Sequence, residues 1–202
     1  LKTGRKGTSW YRIDVAGRAA HAGGEPEKGV NAAVELAHLI LAVAELARPD
    51  VGTTVTPTVA AAGTTTNTVP AAAELHVDVR ARTAQEQQRV HTRMLALTAT
   101  VPGAVLTVHG GINRPPMEPA VAADLFATAV RLAEREGLGP LAQRSVGGGS
   151  DGNFTAALGV ATLDGLGAVG GGAHAADEHV LVADLAPRTA LLAALVEELL
   201  RR

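Results

Sequence analysis

The sequence predicts a two-part fold, α+β followed by α/β. Two observations carry this. The first part runs strand, helix, strand, strand, helix, strand, the β-α-β-β-α-β split motif of a ferredoxin-like domain, with helices on one face of an antiparallel sheet. The second part sets short apolar strands between helices, the pattern of a buried parallel sheet. A Gly- and Pro-rich stretch, "GGINRPPMEP", separates them.

Each element follows from its own pattern. "WYRIDVAG" alternates, with Tyr11, Ile13 and Val15 on one face, and reads as a strand. "EPEKGVNAAVELAHLILAVAELA" places Val30, Ala33, Val34, Ala37, Leu41 and Ala44 at helical spacing, and Pro26 suits the start of that helix. "VGTTVTPTVAAAG" is β-branched; Pro57 lacks a ladder donor, which assigns this strand to a sheet edge. In "AELHVDVRAR", Leu75, Val77 and Val79 face inward, while His76, Asp78 and Arg80 share the other face. "TAQEQQRVHTRMLALTA" is a second helix with Thr83 as N-cap, and "AVLTVHG" a fourth strand. Beyond the boundary, "AVAADLFATAVRLAERE" is a helix closed by Gly137. "LAQRSV" reads as a short strand, "GGGSDGN" as a tight loop, "FTAALG" as a short helix and "VATLD" as a buried strand. "ADLAPRTALLAALVEELLRR" is a closing helix whose basic end suits the C-terminal dipole. The later strands are too few for a complete parallel sheet, so this part reads as the closing half of an α/β domain.

Composition narrows the chemistry. The chain has 202 residues, 18 basic and 20 acidic, and no basic stripe, which argues against nucleic acid as a partner. It has no cysteine, so any metal must be held by His and carboxylates. Aromatics are scarce, and the core must come from Ala, Val and Leu. No apolar run is long enough to span a membrane and no signal peptide opens the chain, so the default expectation is cytoplasmic. The chain opens on Leu1, not Met, and reads as the interior of a longer protein, with a processed N-terminus as the alternative.

Single motifs are weak. "GLGAVG" fits G-x-G-x-x-G, but more glycine follows it where a dinucleotide site needs a helix. "GGGSDGN" lacks the G-K-[ST] ending of a phosphate loop. His174 in "GGGAHAADEHV" follows a glycine run that can bring a short loop to a metal, but His174 and His179 are not at the spacing of a zinc helix. His21 in "GRAAHAGGEPEKGVNA" can be a polar loop residue, "TTTNTVP" a hairpin turn, and Arg80 part of a solvated strand face.

Their order is more specific. "KTGRKG", "GRAAHAG", "GVNA", "TTTNTVP", "DVR", "NRPP", "GGGSDGN" and "HAADEHV" follow one another at spacings that resemble the zinc-dependent exopeptidase and aminoacylase family. The similarity is strongest to its glutamate carboxypeptidase branch, near the acetylornithine and succinyl-diaminopimelate deacylases. The resemblance implies that residues 1–113 are a ferredoxin-like lid that also dimerises, and that residues 114–202 are the C-terminal portion of the α/β catalytic domain. It implies His174 as the last ligand of a pair of zinc ions, with Co or Mn as other candidates. It implies that His21 stabilises the tetrahedral oxyanion, often in the partner subunit's site. It implies that Asn67 binds near the scissile carbonyl. Arg80 and Arg114 would lie near the substrate carboxylate, and Gly148 and Gly149 would offer backbone donors to the same end. The other ligands and the general-base Glu of that family precede the lid and have no counterpart here. His174 alone cannot hold two zinc ions.

These readings lead to part of a metallohydrolase, a carboxypeptidase or N-acyl-amino-acid amidohydrolase. It would cleave an amide beside a free carboxylate, work as a homodimer through the lid, and be inactive as this chain alone. The alternative is a non-catalytic dimerisation or ligand-binding module.

Overall fold

The computed structural model describes residues 1–201. The chain forms two compact units: Lys6–Pro116, and Leu1–Arg5 with the chain from Met117 onward. The first five residues thus belong with the later unit, whereas a single boundary at 113 puts them in the lid. The cause is strand pairing: β1 (Lys2–Arg5) lies parallel to a strand at Arg144–Val146.

The first unit is the expected split motif. Its elements are β2 (Gly7–Ala16), α1 (Ala32–Ala44), β3 (Thr54–Ala62), β4 (Ala72–Ala81), α2 (Ala84–Leu95) and β5 (Val105–Arg114). The sheet order is β3-β4-β2-β5, antiparallel throughout. Alternation decides its faces: Tyr11, Ile13, Val15, Leu75, Val77 and Val79 are buried. Each large aliphatic side chain there contributes about 2 kcal/mol through burial. They pack with Leu36, Leu39 and Val43 of α1 and Val90 and Met94 of α2. β3 lies at the edge, as Pro57 requires, and its pairing with β4 shifts register between Pro57 and Val59. Thr83 caps α2 by accepting a hydrogen bond from the Glu86 amide at 3.2 Å.

Helix α1 departs from expectation twice. Pro26 opens only a 3-10 turn (Pro26–Lys28), and α1 starts later, where the Asn31 side chain accepts from the amides of Ala33 and Val34. Its buried face is Ala32, Glu35, Leu36, Leu39 and Val43; Val34 and Leu41 are 46% and 67% exposed. The helix is apolar nearly all round, so spacing alone could not choose a face. Glu35 decides it: buried, it accepts from the amides of Thr100 (2.9 and 3.1 Å) and Val101 (2.6 Å) and anchors the loop before β5.

In the second unit, α3 (Pro119–Arg135) ends near Gly137 in the left-handed region. β6 (Arg144–Val146) and α4 (Gly152–Ala157) follow, then β7 (Gly170–Gly171), β8 (His179–Val180) and α5 (Leu185–Leu200). α3 and α5 share a core of Ala129, Leu132, Ala133, Leu191, Ala194 and Leu195. "VATLD" is not a strand here. Only Asp164 makes a bridge, to Lys2, and Val160 is 54% exposed. Among the described residues nothing pairs with its other positions, and an unpaired apolar run has no ladder to extend it. The expected basic end of the last helix includes Arg202, which lies outside the described residues. Among the described residues no helix is long and apolar enough to cross a membrane.

Candidate functional site

The segments after β2 and before β4 zip together at one end of the sheet. Ala22 donates its amide to the Asn67 carbonyl at 2.9 Å, and Val69 donates to Ala20 at 2.9 Å. His21 and Thr68 form an antiparallel bridge. This short ladder brings His21 and Asn67, distant in sequence, to one exposed tip. The loop is stapled at its base, where Arg18 and Val30 exchange backbone bonds of 2.9 Å and Arg18 Nε reaches the Lys28 carbonyl at 2.7 Å. Gly29 is required there: a Cβ would sit 2.8 Å from Val69 Cγ1. His21 Nδ1 accepts from the amides of Gly23 (3.1 Å) and Gly24 (2.9 Å). A cavity of about 640 Å³ adjoins the tip, lined by Asp14, Ala16, Ala62, Thr64, Thr68 and Glu74.

Arg80 and Arg114 lie at the other end of the sheet, both in register with Thr8. From Thr8 to Ala16, where the His21 loop begins, β2 advances about 26 Å at roughly 3.3 Å per residue. The four lid residues His21, Asn67, Arg80 and Arg114 therefore form two groups, not one. Arg80 already holds an anion: its Nε and Nη2 donate to the two Asp78 oxygens at 2.7 and 2.8 Å. Those hydrogen bonds raise the Arg80 pKa further, against partial burial. Trp10 donates to the same carboxylate at 3.1 Å. The Arg114 end is set by Gln87, a buried side chain missed in the sequence. Its Nε2 donates to the carbonyls of Thr8 (3.1 Å) and Arg114 (2.9 Å) and to Ser9 Oγ (3.1 Å), where β2 and β5 shift register.

In the second unit the loop carrying Gly148 and Gly149 rests on an ionic knot. Arg5, with a side chain only 9% exposed, donates through Nε to Asp164 Oδ2 at 2.5 Å and through Nη1 to the Gly148 carbonyl at 2.7 Å. Ser150 Oγ donates to the same Asp164 oxygen at 2.5 Å, and the Gly165 amide donates to the other. Buried Asn153 accepts from the Ser150 amide at 2.9 Å. Burial pushes the Asp164 carboxyl up, but the hydrogen bonds of Arg5, Ser150 and Gly165 and the Arg5 charge outweigh it and bring the pKa down to about 2. Arg5 and Ser150 sit inside recognised motifs, yet their partner Asp164 stands in no motif.

His174 sits in the turn of the β7–β8 hairpin, exposed, with φ of 68°. Ala175 donates its amide to Gly172 O at 2.8 Å and closes the turn. Among the described residues His174 is the one non-glycine residue with positive φ. Asp177, Glu178 and His179 follow in the same hairpin. Even so, no three metal-binding side chains come together among the described residues, so the residues present do not make a metal site by themselves. "GLGAVG" runs into β7 with no helix after it, which removes the dinucleotide reading.

Comparison with known proteins gives a consistent picture. Residues 3–104 match the family model described as peptidase dimerisation domain, of the M20 peptidases. The chain is 29% identical over 197 residues to carboxypeptidase G2 of Pseudomonas sp., covering 96% of this chain and 48% of that protein. It resembles the structure of aminopeptidase PepT from Bacillus cereus with a TM-score of 0.75 and 26% identity, over 97% of this chain and 52% of that one. It also resembles a dinuclear metal-binding M20 peptidase of Bacillus subtilis, with a TM-score of 0.72 over 98% of this chain and 51% of that one; at 16% identity this likeness speaks for the fold. The chain thus spans about half the length of these relatives.

Proposed function

The chain belongs to the peptidase dimerisation domain family of the M20 peptidases, and from that premise we propose that it is part of a metal-dependent hydrolase cleaving an amide beside a free carboxylate. The observation that carries this reading is the backbone ladder, His21 opposite Thr68 and Ala22 bonded to Asn67, that brings both segments to one exposed tip. Developing negative charge on a carbonyl oxygen calls for fixed donors, and an imidazole N–H and a carboxamide are groups of that type. In this reading His21 steadies the oxyanion and Asn67 binds near the scissile carbonyl. The adjoining cavity takes a side chain of the substrate. Arg114 meets the substrate carboxylate, while Arg80 keeps its fork on Asp78.

A small substrate cannot touch both ends of one sheet, about 26 Å apart. His21 and Asn67 therefore serve a different active site from Arg114 of the same lid, and a homodimer supplies it. The surface proposed for that contact is the outer stripe of α1 (Val34, Ala37, Leu41 and Ala44) with the β3 edge, whose backbone can extend the sheet into a second copy. His174 contributes one ligand to a metal site for zinc, or cobalt or manganese, whose remaining ligands are not among the described residues.

The absence of a three-ligand cluster among the described residues favours a second reading, a dimerisation or binding module without catalysis. Two measurements on the chain decide. With zinc present, it is expected to turn over neither N-acyl amino acids nor short peptides. It is also expected to bind zinc weakly, and His174→Ala should abolish that binding. Zinc binding indifferent to His174→Ala supports the second reading; turnover by the wild-type chain that His174→Ala removes refutes its inactivity.

A further inference from the structure

The chain immediately after His21 turns back on its own ring. The amides of Gly23 and Gly24 point at Nδ1 from 3.1 and 2.9 Å, both ordinary hydrogen-bond lengths. Gly24 also lies 3.3 Å from the His21 carbonyl, so its shorter contact is the one to the ring. Two donors on one nitrogen require that nitrogen to be an acceptor. A bare Nδ1 in a neutral imidazole places the proton on Nε2. The ring is exposed, and Nε2 meets no hydrogen-bonding partner among the described residues.

We infer that the backbone amides of Gly23 and Gly24 are positioning groups that hold neutral His21 in its Nε2–H tautomer, so that the ring presents one outward donor and no outward base. This goes deeper into the proposed hydrolase reading and rests on it for its use. An Nε2–H fixed in direction suits an anionic oxygen and costs no reorientation when charge develops there. The same arrangement rules the neutral ring out as a general base, since its one lone pair is turned inward onto the loop. A Cβ on Gly24 would lie 3.4 Å from Nδ1, an ordinary contact distance, so the arrangement depends on the amide rather than on the lack of a side chain.

The test uses the whole chain, uniformly labelled with ¹⁵N. Long-range nitrogen–proton correlation of the histidine rings is recorded at a pH where they are neutral, with His21 assigned by its disappearance in His21→Gln. The expected pattern is a single tautomer, with the proton on Nε2 and Nδ1 bare. Gly24→Pro removes the nearer donor and should move the His21 signals toward an average of two tautomers. Gly23→Ala keeps its amide and should leave them in place. A proton on Nδ1, or an already averaged pattern in the wild-type chain, overturns the inference. If Gly24→Pro disturbs the loop itself, amide exchange decides. In His21→Gln the Gly24 amide should lose protection while Ala22, bonded to Asn67, keeps it; unchanged Gly24 protection counts against the proposal. No arm reads activity, so a failed hydrolase assay and a failed tautomer test remain distinguishable.

Discussion

His174 adopts a backbone conformation that side chains avoid. At φ of 68° its Cβ crowds the carbonyl oxygen, at a cost of about 1–2 kcal/mol relative to glycine. A tertiary purpose is the usual reason such a residue persists. His174→Gly should therefore raise the denaturation midpoint by the equivalent of about 1 kcal/mol while removing zinc binding. A neutral or lower midpoint would show that the turn is unstrained.

Asp164 is the second residue with a distinct signature. Its folded pKa, about 2, lies below the ordinary 3.8, so the folded state binds this proton less readily than the unfolded chain. Its contribution is complete above pH 4 or so and is lost as pH falls through about 2. Asp164→Asn should lower stability at neutral pH, since it leaves the Arg5 charge nearly buried and unpaired. The variant should also flatten the acid limb of the stability profile between about pH 4 and 2, read by urea unfolding over a pH series. An unchanged acid limb would assign that sensitivity elsewhere. The sequence quoted Arg5 and Ser150 without their roles, because a side-chain pair this far apart along the chain leaves no periodic trace.

At the scale of elements, legibility followed locality. β2 and β4 were readable because a sheet buried on one face forces alternation, and Leu75, Val77 and Val79 obey it. Thr83 was readable as a cap because a cap acts within one helical turn. The buried face of α1 was not, since two apolar stripes compete on it and the arbiter, Glu35, answers to amides at Thr100 and Val101. The assignment of faces has a direct test by thermal melting. Leu39→Ala, in the core, should cost about 3 kcal/mol, whereas Leu41→Lys, compared at a concentration where both chains are monomeric, should leave the melt almost unchanged. Equal losses would contradict the assignment. "VATLD" shows the reverse error: a run of suitable residues is only an offer of a strand, and pairing makes it one.

At the scale of the whole molecule, β3 stands at the sheet edge and α1 shows an apolar outer stripe, both in the unit matched to a dimerisation family. The expected assembly is a dimer, and Leu41→Lys should shift it toward monomer in sedimentation velocity without loss of secondary structure. A dimer of undiminished strength would place the interface on another surface.

The sequence by itself determined the order of elements in the first unit, the alternating faces of its central strands, the edge place of the Pro57 strand and the ordered motifs that point to the peptidase family. All of these are local or nearly local, written in periods of two or 3.6 residues, in caps and in proline's missing donor. Only the tertiary structure decided that β1 joins the later unit by pairing with β6, and that α1 turns Glu35 inward. Only it showed that the segments of His21 and Asn67 pair at one end of the sheet while Arg80 and Arg114 stand at the far end. The reason is physical: partners distant along the chain meet only where strand order and register bring them together, and no local pattern encodes that meeting.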